Sequence, residues 1–217
     1  MIKAILFDLD GTLVDSLEDI AIATNFGLKN LGLPVRETKE FKYFVGDGIP
    51  KMLMRAAGTE DENVLALMKS DFFEHYSVHY ADNTYAYDGM KELVSALKEK
   101  GYKVAVVTNK AQEMADEVVK KLYGDVFDLI LGQREGIPAK PDPTAAFMAM
   151  SELSVNPDEC VFLGDSGMDV ATAVNSGAIP VGELWGYRKE DELLLNGARF
   201  IIKEPIELLN LVEDFNK

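Results

Sequence analysis

An α/β fold is predicted for this 217-residue chain: a parallel sheet covered by helices, with an all-helical insertion. Three observations carry that prediction. Short apolar runs alternate with amphipathic helical patterns through the second half of the chain, as strands and crossover helices do in a parallel sheet. One similar run at the N-terminus is separated from the rest by about 65 residues of helical periodicity without a convincing strand. Several of the apolar runs end directly in Asp, Thr or Gly, and the carboxyl ends of strands in open α/β sheets are where ligands bind.

The first run, Ile2 to Phe7, reads as a buried parallel strand. Asp8 then falls at its end, and Asp10, two residues on, shares its side of the chain. Gly11 and Thr12 supply a sharp turn and a hydroxyl. Leu17, Ile20, Ala21, Thr24, Leu28 and Leu31 repeat at helical spacing until Gly32 and Pro34, a second helix covers 49–57 and stops at Gly58, and a third covers 61–80. The expected division is therefore a core domain of residues 1–15 and 82–217 and a helical cap domain of residues 16–81. Onward, helices are expected at 90–100, 113–122, 144–153 and 168–176. Strands are expected at 102–107, 126–131, 160–163, 179–181 and 200–202.

Composition narrows the function. With 22 basic against 37 acidic residues the net charge is −15, which argues against a nonspecific nucleic-acid or anionic-membrane binder. The single cysteine, Cys160, excludes an internal disulfide and reads as a small buried apolar residue, in keeping with a reducing cytoplasm. No apolar stretch approaches the ~18 residues of a membrane span, and no signal peptide is evident. A cytoplasmic monomer or homodimer is expected.

The chemistry-bearing residues cluster at strand ends. Asp8 and Asp10 follow the first strand, and Thr108 and Asn109 follow VAVV. Lys140 lies in AKPDP between stiffening prolines, and Gly164, Asp165, Ser166 and Asp169 follow the strand VFL. In order these are D-x-D-G-T, a threonine after the second core strand, a lysine, and G-D-S-x-x-D. The chain thereby resembles the haloacid dehalogenase superfamily phosphatases over nearly its whole length. The cap segment VGDG with Arg55 and Ala56, and the later WGYR, are similar to segments of phosphoglycolate phosphatases within it.

The resemblance implies a Rossmann-like core and Mg²⁺-dependent hydrolysis of small phosphomonoesters. Asp8 would attack phosphorus to give an aspartyl-phosphate. Asp10 would protonate the leaving oxygen and then activate water. Asp8, the backbone carbonyl of Asp10 and Asp165 would hold Mg²⁺, with Asp169 orienting a metal-bound water or Lys140. Gly11, Thr12, Thr108, Asn109 and Lys140 would receive the phosphoryl group. Lys51 and Arg55 would meet the substrate beyond its phosphate, Arg55 through a carboxylate. A sugar-phosphate mutase or a pyrophosphatase would share the core motifs. A non-catalytic binding protein should have lost one of Asp8, Asp10, Lys140 or Asp165, and none is lost. His75 and His79 lack a third ligand and read as surface or packing residues. Trp185 and Tyr187 read as a packed or rim loop.

Overall fold

A computed structural model describes all residues, Met1–Lys217, and divides into two compact units: Met1–Val14 with Ala86–Lys217, and Asp15–Tyr85. The first unit carries the sheet. Its strands are β1 (Ala4–Phe7), β4 (Lys103–Ala111), β5 (Leu129–Gln133), β6 (Cys160–Gly164), β7 (Ile179–Glu183) and β8 (Phe200–Ile202). They lie in the order β5-β4-β1-β6-β7-β8, every neighbouring pair parallel. The chain leaves β1 toward β4 and β5, then returns to lay β6, β7 and β8 on its other side. That reversal opens a crevice at the carboxyl ends of β1, β4 and β6, the usual ligand position in such sheets. The sequence-predicted fold class matches this architecture.

The helices of this unit are α4 (Met90–Glu99), α5 (Gln112–Tyr123), α6 (Thr144–Leu153), α7 (Gly167–Ser176), α8 (Glu190–Leu195) and α9 (Pro205–Phe215). One face of the sheet offers Ala4, Leu6, Ala105, Val107, Cys160 and Phe162 to Ala145, Ala146, Ala149, Met150 and Leu153 of α6, all buried. The alternate residues Ile5, Phe7, Val104 and Val106 point the opposite way and are also fully buried. Apolar runs without polar alternation are what a sheet covered on both faces requires. Cys160 sits in this core, where burial pushes its thiol up to about 12, an inert state.

The second unit contains α1 (Leu17–Asn30), a 3₁₀ turn at Thr38–Tyr43, α2 (Ile49–Ala57) and α3 (Glu62–His79). Its main packing is α1 on α3. Asp19, buried on α1, accepts bonds from the Asn83 N–H and side-chain amide and from the Thr84 N–H and hydroxyl, at 2.7–3.0 Å, tying residues 83–84 to the helix. Short strands β2 (Val14–Asp15) and β3 (Tyr85–Ala86) pair where the chain passes between the units. His75 stacks near Phe26, with centroids 5.1 Å apart, and His79 Nδ1 meets Asp82 at 2.7 Å, so neither joins a metal-ligand group.

Two boundaries differ from the sequence expectation in a way that matters. The strand expected to stop at Val107 runs on to Ala111, with a register shift: Val107 pairs with Leu131 but Ala111 with Gln133, so four steps of β4 oppose two of β5. Such a bulge re-aims side chains at a sheet's rim. The strand expected to stop at Val181 continues to Glu183. The C-terminal helix α9 was not anticipated, although Pro205 at its first turn and the spacing of Leu208, Leu209 and Val212 fit one.

Candidate active site

Asp8 follows β1 directly, its N–H donating to the Leu163 carbonyl of β6 at 3.0 Å. Asp165 follows β6, and Asp169 lies on the first turn of α7. These three buried residues place one carboxylate oxygen each within 4.8 Å of one another. Bringing three anions together requires a cation, and one is present. Lys140 Nζ donates to Asp8 Oδ1 at 2.7 Å, to Asp169 Oδ1 at 2.5 Å and to the Val107 carbonyl at 3.1 Å. Its charge survives burial because Asp169 and Asp8 outweigh the loss of water and hold its pKa above the usual lysine value.

Asp169 is held from both sides. Ser166 caps the start of α7, and its N–H and hydroxyl donate to Asp169 Oδ2 at 3.0 and 2.6 Å, a reciprocal cap at a helix N-terminus. Asp169 therefore spends Oδ2 on the helix start and Oδ1 on Lys140. Asp165 receives the Tyr187 N–H on Oδ2 at 2.8 Å. Oδ1 of Asp165 and Oδ2 of Asp8 remain for a cation. Burial, then Asp169, push Asp8 up from 3.8 to about 7 against the pull of Lys140. Burial and then Asp169 and Asp8 push Asp165 well above its ordinary value. One ammonium is thus too little charge for this cluster. An all-oxygen donor set with excess negative charge fits a hard divalent cation.

Asp10 stands apart from that group. Its carboxylate accepts two bonds from Lys110 Nζ, at 3.0 and 3.2 Å, and Lys110 is itself nearly buried. The β4 bulge brings Lys110 here. Thr108, also in the bulge, accepts the Lys110 N–H on its hydroxyl at 3.2 Å. The side chain of Asn109 brackets the backbone of Lys140, taking its N–H at 2.8 Å and donating to its carbonyl at 3.3 Å. Gly11 has a φ of +97°, and a Cβ there would fall 2.6 Å from Asp165 Oδ2, so the turn after β1 needs glycine on both counts. Thr12 is fully buried with its hydroxyl unpartnered; its carbonyl accepts the Trp185 indole N–H at 3.0 Å.

The structure brings Asp8, Asp165, Asp169 and Lys140 into one cluster, and Asp10 with Lys110 into a second, at the same sheet edge. In the helical unit, Arg55 is engaged locally, donating to the Phe44 carbonyl at 2.9 Å and pairing with Asp47, while Lys51 is exposed. Sequence reasoning missed Lys110 and Glu183. A strand assumed to end at Val107 leaves Lys110 looking like a solvated loop lysine. A strand assumed to end at Val181 leaves Glu183 looking like a surface acid, yet it is fully buried. Burial, then Asp165, push its carboxyl well above the usual range.

Residues 5–181 match the family model described as haloacid dehalogenase-like hydrolase. A phosphoglycolate phosphatase of Aquifex aeolicus is 30% identical over 98% of this chain and 97% of its own. An N-acetylmuramic acid 6-phosphate phosphatase of Pseudomonas aeruginosa is 29% identical, covering 98% and 95%. A provisionally assigned phosphoglycolate phosphatase of Lactobacillus delbrueckii subsp. bulgaricus, solved by crystallography, has a TM-score of 0.90 at 30% identity, covering 97% of this chain and 98% of that one. Sheet order, carboxylate cluster and matched span together place the chain in the haloacid dehalogenase-like hydrolase family.

Proposed function

We propose that this chain is a phosphatase that hydrolyses small phosphomonoesters through a phosphorylated Asp8, with Mg²⁺ as cofactor and 2-phosphoglycolate as the first substrate to test. The observation that carries the reading is the buried Asp8–Lys140–Asp169 chain of ion pairs beside Asp165, at the carboxyl edge of the sheet. Relatives named as phosphatases of phosphoglycolate and of N-acetylmuramic acid 6-phosphate support phosphomonoester chemistry and leave the leaving group open.

Asp8 is the nucleophile: its carboxylate oxygen bonds to phosphorus as the ester oxygen departs. Asp8 and Asp165, with the Asp10 carbonyl, would hold Mg²⁺, which when bound offsets the negative charge of the phosphate and keeps Asp8 ionised. Lys140 fixes the attacking carboxylate and supplies a permanent positive charge for the phosphoryl oxygens, with Thr108 and the Asn109 N–H as further donors. Asp169 holds Lys140 in place. Asp10 gives its proton to the leaving oxygen and takes one from the water that later cleaves the acyl phosphate, so protons balance over the cycle. Lys51 and Arg55 belong to the substrate-recognition part of the proposal. Arg55 must share its guanidinium with Asp47 in that role. A cytoplasmic monomer or homodimer remains the working expectation, and no helix is long and apolar enough to cross a membrane.

The test is phosphate release from 2-phosphoglycolate, N-acetylmuramic acid 6-phosphate, sugar phosphates, nucleotides and pyrophosphate, with Mg²⁺ and with chelator. Metal-dependent release from a phosphomonoester is expected. No release from any of them, with isomerisation of a sugar phosphate instead, would replace the hydrolase with a mutase.

A further inference from the structure

Glu183 ends β7 at the same sheet edge as Asp8 and Asp165, and the mechanism above makes no use of it. Its side chain has no exposure to solvent. Oε2 accepts the N–H groups of Trp185, at 2.6 Å, and Gly186, at 3.1 Å, while Oε1 is buried without a partner. Two neutral acceptors would satisfy those N–H groups without burying a carboxylate, so turn closure alone does not explain an acid here.

What the turn does next gives the explanation. Residues Trp185 to Tyr187 reach both halves of the carboxylate site. The Trp185 indole N–H donates to the Thr12 carbonyl, and the Tyr187 N–H donates to Asp165 Oδ2 at 2.8 Å. Gly186 lies between them in tight contact: a Cβ there would strike the Gly11 carbonyl and the Asp165 side chain, and would sit 2.6 Å from Glu183 Oε1. The unpartnered oxygen of Glu183, the turn after β1 and Asp165 therefore converge on one glycine.

We infer that Glu183 is a positioning residue for the divalent-cation site, clasping the Trp185–Tyr187 turn so that its peptide N–H occupies Asp165 Oδ2 and leaves Oδ1 facing the cation. The inference rests on the reading of Asp165 as a metal ligand. Outer partners of this kind set ligand orientation, and losing one costs about 10- to 100-fold in metal affinity.

The experiment measures Mn²⁺ binding by its EPR signal, without substrate, beside Mg²⁺ half-saturation of phosphatase activity and the emission of Trp185, the only tryptophan. Glu183→Ala should weaken Mn²⁺ binding and raise Mg²⁺ half-saturation by about tenfold or more, shift Trp185 emission, and leave KM at saturating Mg²⁺ within twofold. Glu183→Gln keeps an acceptor oxygen for both N–H groups but puts an amide where the unpartnered carboxyl oxygen meets Gly186, so it should recover part of the affinity and not all of it. Should the alanine variant not fold, Glu183→Asp, which keeps the carboxyl group but shortens its reach, should still weaken Mn²⁺ binding at least threefold. A folded Glu183→Ala with Mn²⁺ binding within twofold of wild type, whatever its thermal stability, would reduce Glu183 to a structural clasp and overturn the inference. Asp165→Asn separates the two claims: wild-type Mn²⁺ binding in that variant would remove the metal-ligand reading itself.

Discussion

At the scale of single residues, the site is two ion-paired groups with different duties. Lys140 serves Asp8 and Asp169, and Lys110 serves Asp10. The Lys110 ammonium grips both oxygens of Asp10, the carboxylate proposed to face the leaving group. Lys110→Met keeps the buried stem and removes the charge. It should lower kcat by about tenfold or more, with a larger loss for substrates whose leaving alkoxide is a poor one, and destabilise the fold by roughly 1–3 kcal/mol because the Asp10 pair is only partly buried. Steady-state rates against a series of aryl and alkyl phosphates, with thermal unfolding, check this; equal loss across the series would separate Lys110 from the proton-transfer step. The acids of the site were legible in the sequence because four motifs stand in order at strand ends, although Asp-Gly alone is ordinary in a turn. Lys110 and Glu183 were not, because a lysine or glutamate near a loop is usually solvated, and only the strand's true length decides otherwise.

Among elements, the turns matter more than the strands. The turn after β1 must bring its backbone against Asp165, and Gly11 permits it with a φ of +97°. Gly11→Ala would place a methyl 2.6 Å from Asp165 Oδ2 in a conformation alanine rarely adopts. We expect about 1–3 kcal/mol of lost stability and a Mg²⁺ half-saturation raised severalfold, read from thermal melts and Mg²⁺ titration of activity. Unchanged Mg²⁺ dependence would show that the turn can relax away from Asp165. Some regular elements were readable to the residue: α2, α6 and β8 have the expected bounds. The bulge in β4 was not, since its extra residues follow from pairing with β5 rather than from any local pattern. Helix α8 spans Glu190–Leu195 with only Leu193 buried, too short for a periodic signal.

For the whole molecule, the cluster of displaced carboxylates couples stability to pH and metal. Asp8, at about 7, and Asp165 and Glu183, well above their ordinary values, hold protons in the folded state that the unfolded chain has released by about pH 5. The unfolded state then binds fewer protons, so stability in chelator falls as pH rises from about 4 through 7. The net charge of −15 pushes in the same direction by self-repulsion, and the metal separates the two effects. In the proposed site Mg²⁺ would bind the deprotonated carboxylates, so its stabilisation should be small at pH 5 and larger at pH 8. Thermal midpoints in chelator and in Mg²⁺ at both values test this; a midpoint in chelator that rises with pH, or a Mg²⁺ shift no larger at pH 8, would contradict it. Four ordered core motifs also explain why the sheet and family were visible in the sequence while the substrate was not. The core motifs carry the phosphoester chemistry named for the relatives, and recognition beyond the phosphate is the part of the proposal assigned to Lys51 and Arg55.

The most direct test of the central claim is to quench a reaction with ³²P-labelled 2-phosphoglycolate, or the best substrate found, in acid within milliseconds, and map the label. An acid-stable, hydroxylamine-sensitive acyl phosphate is expected on the peptide containing Asp8, absent from Asp8→Asn, which should fold yet lose turnover. Turnover at a wild-type rate by Asp8→Asn, or label on another residue, would contradict it.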